Sequence, residues 1–266
     1  MKTGFAIVAA LGLLTARPAT AETVRANGVE LEYRVSGAGE PLILLHGFGS
    51  CIDGSWGALI PELAKTHRVI AVNMRGHGMS TNPSGTYTHA QTAEDIKGLL
   101  DVLKIEKAQA IGFSSGGMTL LHLATRHPDR LSKMVVVGAT THFGEQARKI
   151  MGTVAAEGLP PPVHAMFEQS AARGKAQAAG LVRQFSAFKD SHDDMNFKRA
   201  DLAKIKAETL IVHGDRDDFF PVSIPAEMYG AIPKAQLWIV PGGDHSPTAG
   251  ASEAAFLETV RKFLVK

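Results

Sequence analysis

Short aliphatic runs alternating with segments of helical period set the tightest limit on what this 266-residue chain can fold into. Residues 41–45, 68–72, 108–113, 131–137 and 209–212 are rich in Leu, Ile, Val and Ala at neighbouring positions. Runs of this kind suit strands buried on both faces, as in a parallel sheet. Residues 235–240 supply one more. Between them, 92–103 sets Ile96, Leu99, Leu100 and Leu103 on one side of a helix, and 118–124 and 252–264 behave alike. His127-Pro128 stops the middle one. Ahead of them all, 23–35 reads as a hairpin, because Asn27-Gly28 is a preferred two-residue turn between alternating segments. Repeated β–α units predict an α/β domain, a parallel sheet covered by helices on both faces.

One interval breaks the rhythm. Residues 140–206 hold no strand pattern, a Pro160-Pro161-Pro162 break and three amphipathic segments. These carry Ile150, Met151 and Val154, then Met166 and Phe167, then Leu181, Val182, Phe185 and Phe188. A structureless loop of that length is uncommon, so a helical insertion is expected. Its Met and Phe side chains suit either core packing or the lining of an apolar pocket.

The first 21 residues read as a leader outside the fold. Lys2 precedes an apolar run over 4–14, and Ala19-Thr20-Ala21 supplies a small-x-small cleavage pattern, with Glu22 as the mature start. The mature protein is therefore expected to be periplasmic or secreted. Lys2 and Arg17 leave with the leader, no acid does, and the 28 basic residues fall to parity with the 26 acidic ones. No electrostatic case for nucleic acid or anionic lipid survives. The lone Cys51 excludes an intramolecular disulfide framework and a cysteine-rich zinc module. No apolar stretch reaches the roughly 18 residues of a spanning helix, so no membrane insertion of the mature chain is expected. A nonpolar content of 45% is too high for disorder.

Chemistry concentrates in three segments. Gly112-Phe113-Ser114-Ser115-Gly116 follows one predicted strand and opens a helix. A sharp strand-to-helix turn exposes the hydroxyl of Ser114 and needs small neighbours to avoid clashes. A serine hydroxyl is a weak nucleophile near neutral pH and requires a base, itself oriented by a third group. His213-Gly214-Asp215-Arg216-Asp217-Asp218 and Pro241-Gly242-Gly243-Asp244-His245 follow the last two predicted strands and can supply both. The spacing of the residues leaves Asp215, Asp217 and Asp218 all open as the acid. No His-Glu-x-x-His, carboxylate cluster or Gly-x-Gly-x-x-Gly appears, and no metal or cofactor is expected.

With these segments, the chain resembles the α/β-hydrolase superfamily over essentially its whole mature length, within the serine esterase, enol-lactonase and haloperoxidase-like branch. His46-Gly47-Phe48-Gly49 is similar to the family's oxyanion loop, and Arg75-Gly76-His77-Gly78-Met79-Ser80 to its R-G-x-G-x-S turn. The resemblance implies an α/β-hydrolase fold, with a mostly parallel central sheet flanked by helices. The core would comprise 22–139 and 207–266, and 140–206 would form a helical lid (cap). It also implies roles: Ser114 as nucleophile, His245 as base, Asp217 as the acid three residues after the glycine, and the N–H groups of Phe48 and Ser115 as the oxyanion hole. Met118 and Phe143 are expected at the mouth of the substrate pocket. Asn73 departs from the family, many members of which have Asp before the R-G-x-G-x-S turn. Asp215 is then left to shape its turn and Asp218 to solvent, while Cys51 and Asp53 read as local packing.

The activity implied is carboxylic ester hydrolysis through an acyl-enzyme, on a small-molecule ester or lactone, by a monomer or weak homodimer. A lactonase, a perhydrolase or a carbon–carbon bond hydrolase would share the triad. A slow-turnover ligand-binding relative is the alternative outside enzymology. Serine at the elbow argues against halide displacement and epoxide opening, which use an aspartate there.

Overall fold

The computed structural model describes residues 20–265, so the expected leader, 1–21, lies outside the described residues except for its last two positions. The expected hairpin forms between β1 (Ala21–Ala26) and β2 (Val29–Ser36), joined by Asn27 and Gly28 at φ 47° and 79°. Positive φ at both positions matches the right-handed twist of the paired strands. The chain continues through β3 (Glu40–Leu45), the short α1 (Ile52–Trp56) and α2 (Ile60–Leu63), β4 (His67–Val72), α3 (His89–Val102) and β5 (Ala108–Phe113). Then come α4 (Ser115–Arg126) and β6 (Leu131–Val137). After the insertion follow β7 (Glu208–Gly214), an α-helix over Ser223–Ala231, β8 (Ala235–Val240) and a final helix over Glu253–Val265. The strands form one sheet ordered β1-β2-β4-β3-β5-β6-β7-β8, antiparallel at β1–β2–β4 and parallel elsewhere.

The period-two alternation of strand side chains sorts the core into two layers. Ile43 and Leu45 join the cluster under α3 and α4, while Leu42 and Leu44 join the one holding Ile52, Trp56, Phe256 and Val260. All four leucine and isoleucine residues of β3 are fully buried, as a strand between two helix layers demands. β8 differs, being an edge strand with most residues half-exposed. Helix bounds shift where caps decide them. α3 starts earlier than its apolar stripe because Thr88 Oγ1 accepts the Gln91 N–H at 3.0 Å, and Leu103 falls just beyond its end. α1, α2 and the helix over 223–231 were not anticipated; all three are too short to show a convincing period.

Residues 140–206 hold α5 (Glu145–Glu157), α6 (Pro161–Gln169), α7 (Lys175–Ala187) and the single turn α8 (Arg199–Leu202). The proline triplet opens α6 rather than breaking it further, since Pro161 sits in the first turn, where no N–H is needed. The two ends of the insertion meet at a neck. Phe197 N–H donates to Thr141 O at 3.1 Å beside an isolated His142–Asn196 bridge. Asp194, just before that bridge, accepts the N–H groups of His89 at 2.8 Å and Ala90 at 3.0 Å, so it caps α3 from far along the chain.

One buried ion pair ties two loops to α3. Arg75 donates to both oxygens of Asp95 on α3 at 2.6 Å, and the Asn27 amide donates to the same carboxylate at 2.8 Å. Removing the cation while leaving the buried carboxylate costs about 3–5 kcal/mol. Arg75→Ala is therefore expected to lower the unfolding free energy by about that amount, measured by urea titration. Asp194 yields a pH signature. Burial alone would raise its carboxyl, but the hydrogen bond and charge of His89 and the capped N–H groups hold it at about 2. A depressed folded pKa stabilises above the unfolded value, near 3.9, and the gain disappears as pH falls through about 2. The stability gap between the protein and Asp194→Asn should narrow by about 2 kcal/mol between about pH 5 and pH 2, read by chemical unfolding at each pH.

Candidate active site

β5 ends in a turn that the chain makes only with small residues. Ser114 adopts φ 50° and ψ −115°, and its N–H is held by Val137 O of the neighbouring strand at 2.8 Å. A Cβ on Gly112 would run into the backbone of Gly116 and Gly117, and one on Gly116 into the Leu45 carbonyl. The Gly-x-Ser-x-Gly spacing is thus a packing requirement. The turn leaves Ser114 partly exposed, at the C-terminal end of the sheet.

Two loops at the same end bring the other groups to it. His245, after β8, has Nε2 3.0 Å from Ser114 Oγ, and its Nδ1 lies 2.9 Å from Asp217 Oδ2, after β7. The second oxygen of Asp217 accepts the N–H groups of Phe219 at 2.7 Å and Phe220 at 3.1 Å, so the carboxylate is fixed from both sides. Burial pushes Asp217 up, but the His245 hydrogen bond, the His245 charge and these two N–H donors outweigh it and hold the carboxyl below its ordinary value. Of the three open carboxylates, Asp217 alone meets the imidazole. Asp215 is exposed and accepts the Gly242 N–H at 2.6 Å, which shapes the turn, and Asp218 is exposed.

The loop over His46–Gly49 is held by two neutral histidines. Burial pushes His46 down to about 4, and burial, with His46 close by to oppose a second cation, pushes His77 well below its ordinary value. Each ring donates from Nδ1 to a backbone carbonyl, which frees Nε2 as an acceptor. His46 Nε2 takes the Met74 N–H at 2.9 Å and His77 Nε2 takes the Gly49 N–H at 3.0 Å. Phe48 N–H, between them, donates to no protein acceptor among the described residues, nor does Ser115 N–H in the first turn of α4. Asn73 is satisfied by a different route from an Asp. It accepts the Ile52 N–H at 2.9 Å and donates at 2.6 Å to the buried Glu32, a neighbour that a second carboxylate would repel.

Phe48, Ser114, Ser115, Met118, Phe143 and His245 line one cavity of about 480 Å³. All the expected site residues converge there except Asp217, which stands behind His245. The insertion supplies the facing wall: Ile150, Met151 and Val154 of α5, Phe167 of α6 and Phe185 of α7. Leu181 and Val182 are not in it, since Leu181 faces a separate cleft that also holds Arg173 and Arg183. Ser50, Ser55, Ser246 and Thr248 add hydroxyls, and among the described residues no Lys, Arg, Asp or Glu lines the cavity. No group of three His, Cys, Asp or Glu is placed to hold a metal among the described residues.

A second cluster under the elbow has no signature in the sequence. His89 Nε2 lies 2.9 Å from Ser115 Oγ, and His89 Nδ1 lies 2.6 Å from Asp194. The partners are 26 and 105 residues apart and form no motif.

A family model described as the alpha/beta hydrolase fold matches residues 40–157. The 2-hydroxymuconate semialdehyde hydrolase of a Pseudomonas species is 30% identical over 246 residues, covering 84% of this chain and 86% of that protein. A putative non-heme chloroperoxidase of a Synechocystis species is 28% identical over 82% of this chain and 89% of its own. Among solved structures, the enol-lactonase from Burkholderia xenovorans matches with a TM-score of 0.76 and 26% identity, over 92% of this chain and 100% of that one. A meta-cleavage product hydrolase from Pseudomonas fluorescens also gives 0.76, at 25% identity over 91% and 97%. The mostly parallel eight-stranded sheet, the elbow after β5 and these likenesses agree: the chain belongs to the α/β-hydrolase superfamily.

Proposed function

We propose that this hydrolase cleaves neutral carboxylic esters through an acyl-enzyme on Ser114. The observation that carries the reading is the pair of contacts from His245, 3.0 Å to Ser114 Oγ and 2.9 Å to Asp217, at the wall of an apolar cavity. His245 Nε2 accepts the Ser114 proton as Oγ bonds to the ester carbonyl carbon. Asp217 holds Nδ1–H and stabilises the imidazolium. The negative oxygen of the tetrahedral intermediate accepts from Phe48 N–H and Ser115 N–H, a stabilisation of about 3 kcal/mol per donor. Collapse expels the alcohol, which takes the proton from His245. Water then gives its proton to His245 as it attacks the acyl carbon, and Ser114 leaves with that proton.

The cavity supports a neutral substrate. Relatives named for carbon–carbon hydrolysis include a 2-hydroxy-6-oxo-2,4-heptadienoate hydrolase from Pseudomonas putida, whose substrate name carries a carboxylate. A carboxylate here would be desolvated without a cation from any described residue of the wall. The likeness to such hydrolases keeps carbon–carbon cleavage as the second reading. Purified protein is expected to hydrolyse p-nitrophenyl esters of medium acyl chains, with Ser114→Ala reducing kcat by at least about a thousandfold. Little turnover of a 2-hydroxy-6-oxo-dienoate should accompany it. Turnover of the dienoate but not the esters would reverse the two readings.

Export is proposed on residues 1–21 alone: the Lys2 start, the apolar run and the Ala19-Thr20-Ala21 pattern. Cleavage there would remove one residue of β1 and leave Glu22 paired with Tyr33. N-terminal sequencing of protein expressed in a bacterial host should read Glu22 first, from the periplasmic fraction or medium. Cytoplasmic protein starting at Met1 would refute export.

A further inference from the structure

We propose that His89 and Asp194 are positioning residues for the oxyanion site, acting through the Ser115 hydroxyl. The inference rests on Ser114 being the nucleophile. Ser115 has two tasks in one residue: its N–H faces the reaction, and its side chain faces a buried relay. Ser115 is 3% exposed and His89 is fully buried, enclosed by the rings of Tyr87 at 5.4 Å and Phe188 at 5.2 Å. His89 Nδ1 lies 2.6 Å from the Asp194 carboxylate, which can only accept, so the ring proton sits on Nδ1. Nε2, at the other side of the ring, meets Ser115 Oγ across 2.9 Å. The hydroxyl is thus fixed in rotamer.

The physical need for such an anchor lies in the position of Ser115. It is the first residue of α4, and first turns have no helical acceptor for their N–H groups and fray. An oxyanion donor is worth most when its direction is set before the reaction. Anchoring the side chain of the same residue to a buried ring narrows the range of that N–H. Asp194 comes from the neck of the insertion, where it also caps α3. The order of the oxyanion site therefore depends on how the returning end of the insertion docks. His122, 3.6 Å from the other Asp194 oxygen and pushed by burial down to about 4, is a neutral neighbour that does not compete for the carboxylate as a cation. A Ser–His–Asp chain is also the pattern of an activated nucleophile. Ser115 is read otherwise because it lies within α4, whereas Ser114 holds the strained elbow.

The test uses a fluorophosphonate probe, whose attack by Ser114 passes through the same oxyanion site and needs no knowledge of the natural substrate. Full-length protein, Ser115→Ala, Ser115→Thr and Asp194→Asn are compared by labelling rate, site of the label, ester kcat and KM, and melting temperature. Asp194→Asn turns the relay around, since the amide can donate to Nδ1 and move the ring proton to Nε2. Labelling on Ser114 is expected to slow about tenfold or more in Ser115→Ala and Asp194→Asn, with ester kcat falling in step and KM changing less than about twofold. Ser115→Thr, which keeps the hydroxyl, should retain the rate to within about threefold. Ser115→Ala removes one hydroxyl only and so tests the inference even if Asp194→Asn fails to fold. Labelling as fast as wild type in Ser115→Ala, or a change in melting temperature alone, would overturn the positioning role. A label on Ser115 would overturn it in favour of a second nucleophile. An unlabelled wild type would instead overturn the assignment of Ser114, and this inference with it.

Discussion

Ser114 holds a left-handed backbone that costs on the order of 1–3 kcal/mol for a residue with a side chain. The surrounding structure has to over-determine it. Val137 fixes the Ser114 N–H, and the close passage of Gly112 and Gly116 against neighbouring backbone leaves no room for a relaxed turn. That packing is possible because β5 is central in the sheet, between β3 and β6, with both neighbours parallel and buried. The strained turn points one hydroxyl out of the sheet and starts a helix beneath it. Positions of His245, Asp217 and the His46–Gly49 loop matter only relative to that hydroxyl.

Charge is handled differently on the two sides of the elbow. On the His245 side the carboxyl of the buried Asp217 is held below its ordinary value by the His245 hydrogen bond and charge and by two backbone N–H groups, and it meets a partly exposed imidazole. On the supporting side the histidines His46 and His77 are kept neutral by burial and act as fixed acceptors for backbone N–H groups. Neutral acceptors hold a loop without adding positive charge beside the Phe48 amide. The Asn73–Glu32 pair follows the same economy: one carboxylate serves Asn73 and the Met79 N–H at 2.8 Å, where two carboxylates would need a proton between them.

Most of the fold was legible because parallel strands buried on both faces leave an unmistakable aliphatic run. Five of the six expected runs are central or near-central strands, and the segments holding Ser114, Asp217 and His245 follow three of the six in the expected order. Asp217 was reachable only through family resemblance, since spacing alone left three carboxylates open. The Ser115–His89–Asp194 cluster was illegible for a physical reason. Its members come from a helix start, an elbow and an insertion neck, and only tertiary docking makes them neighbours. The short helices α1 and α2 escaped notice because four or five residues cannot display a 3.6-residue period.

Shared fold and shared triad geometry do not carry substrate across the superfamily. Ser114, Asp217 and His245 stand on the core, whereas 140–206 supplies much of the facing wall of the cavity. Here that wall is built from Met, Val, Ile and Phe of α5, α6 and α7, with the hydroxyls supplied by other segments, Ser50 and Ser246 among them. Arg173 and Arg183 of the insertion face a different cleft, which shares Phe188 with the cavity. An anionic substrate would meet them only by binding outside the cavity that holds Ser114. The chemistry of the wall and the position of these cations therefore argue in one direction, toward the uncharged acyl group of the proposed ester, held by contact area and oriented by the few hydroxyls that line the cavity.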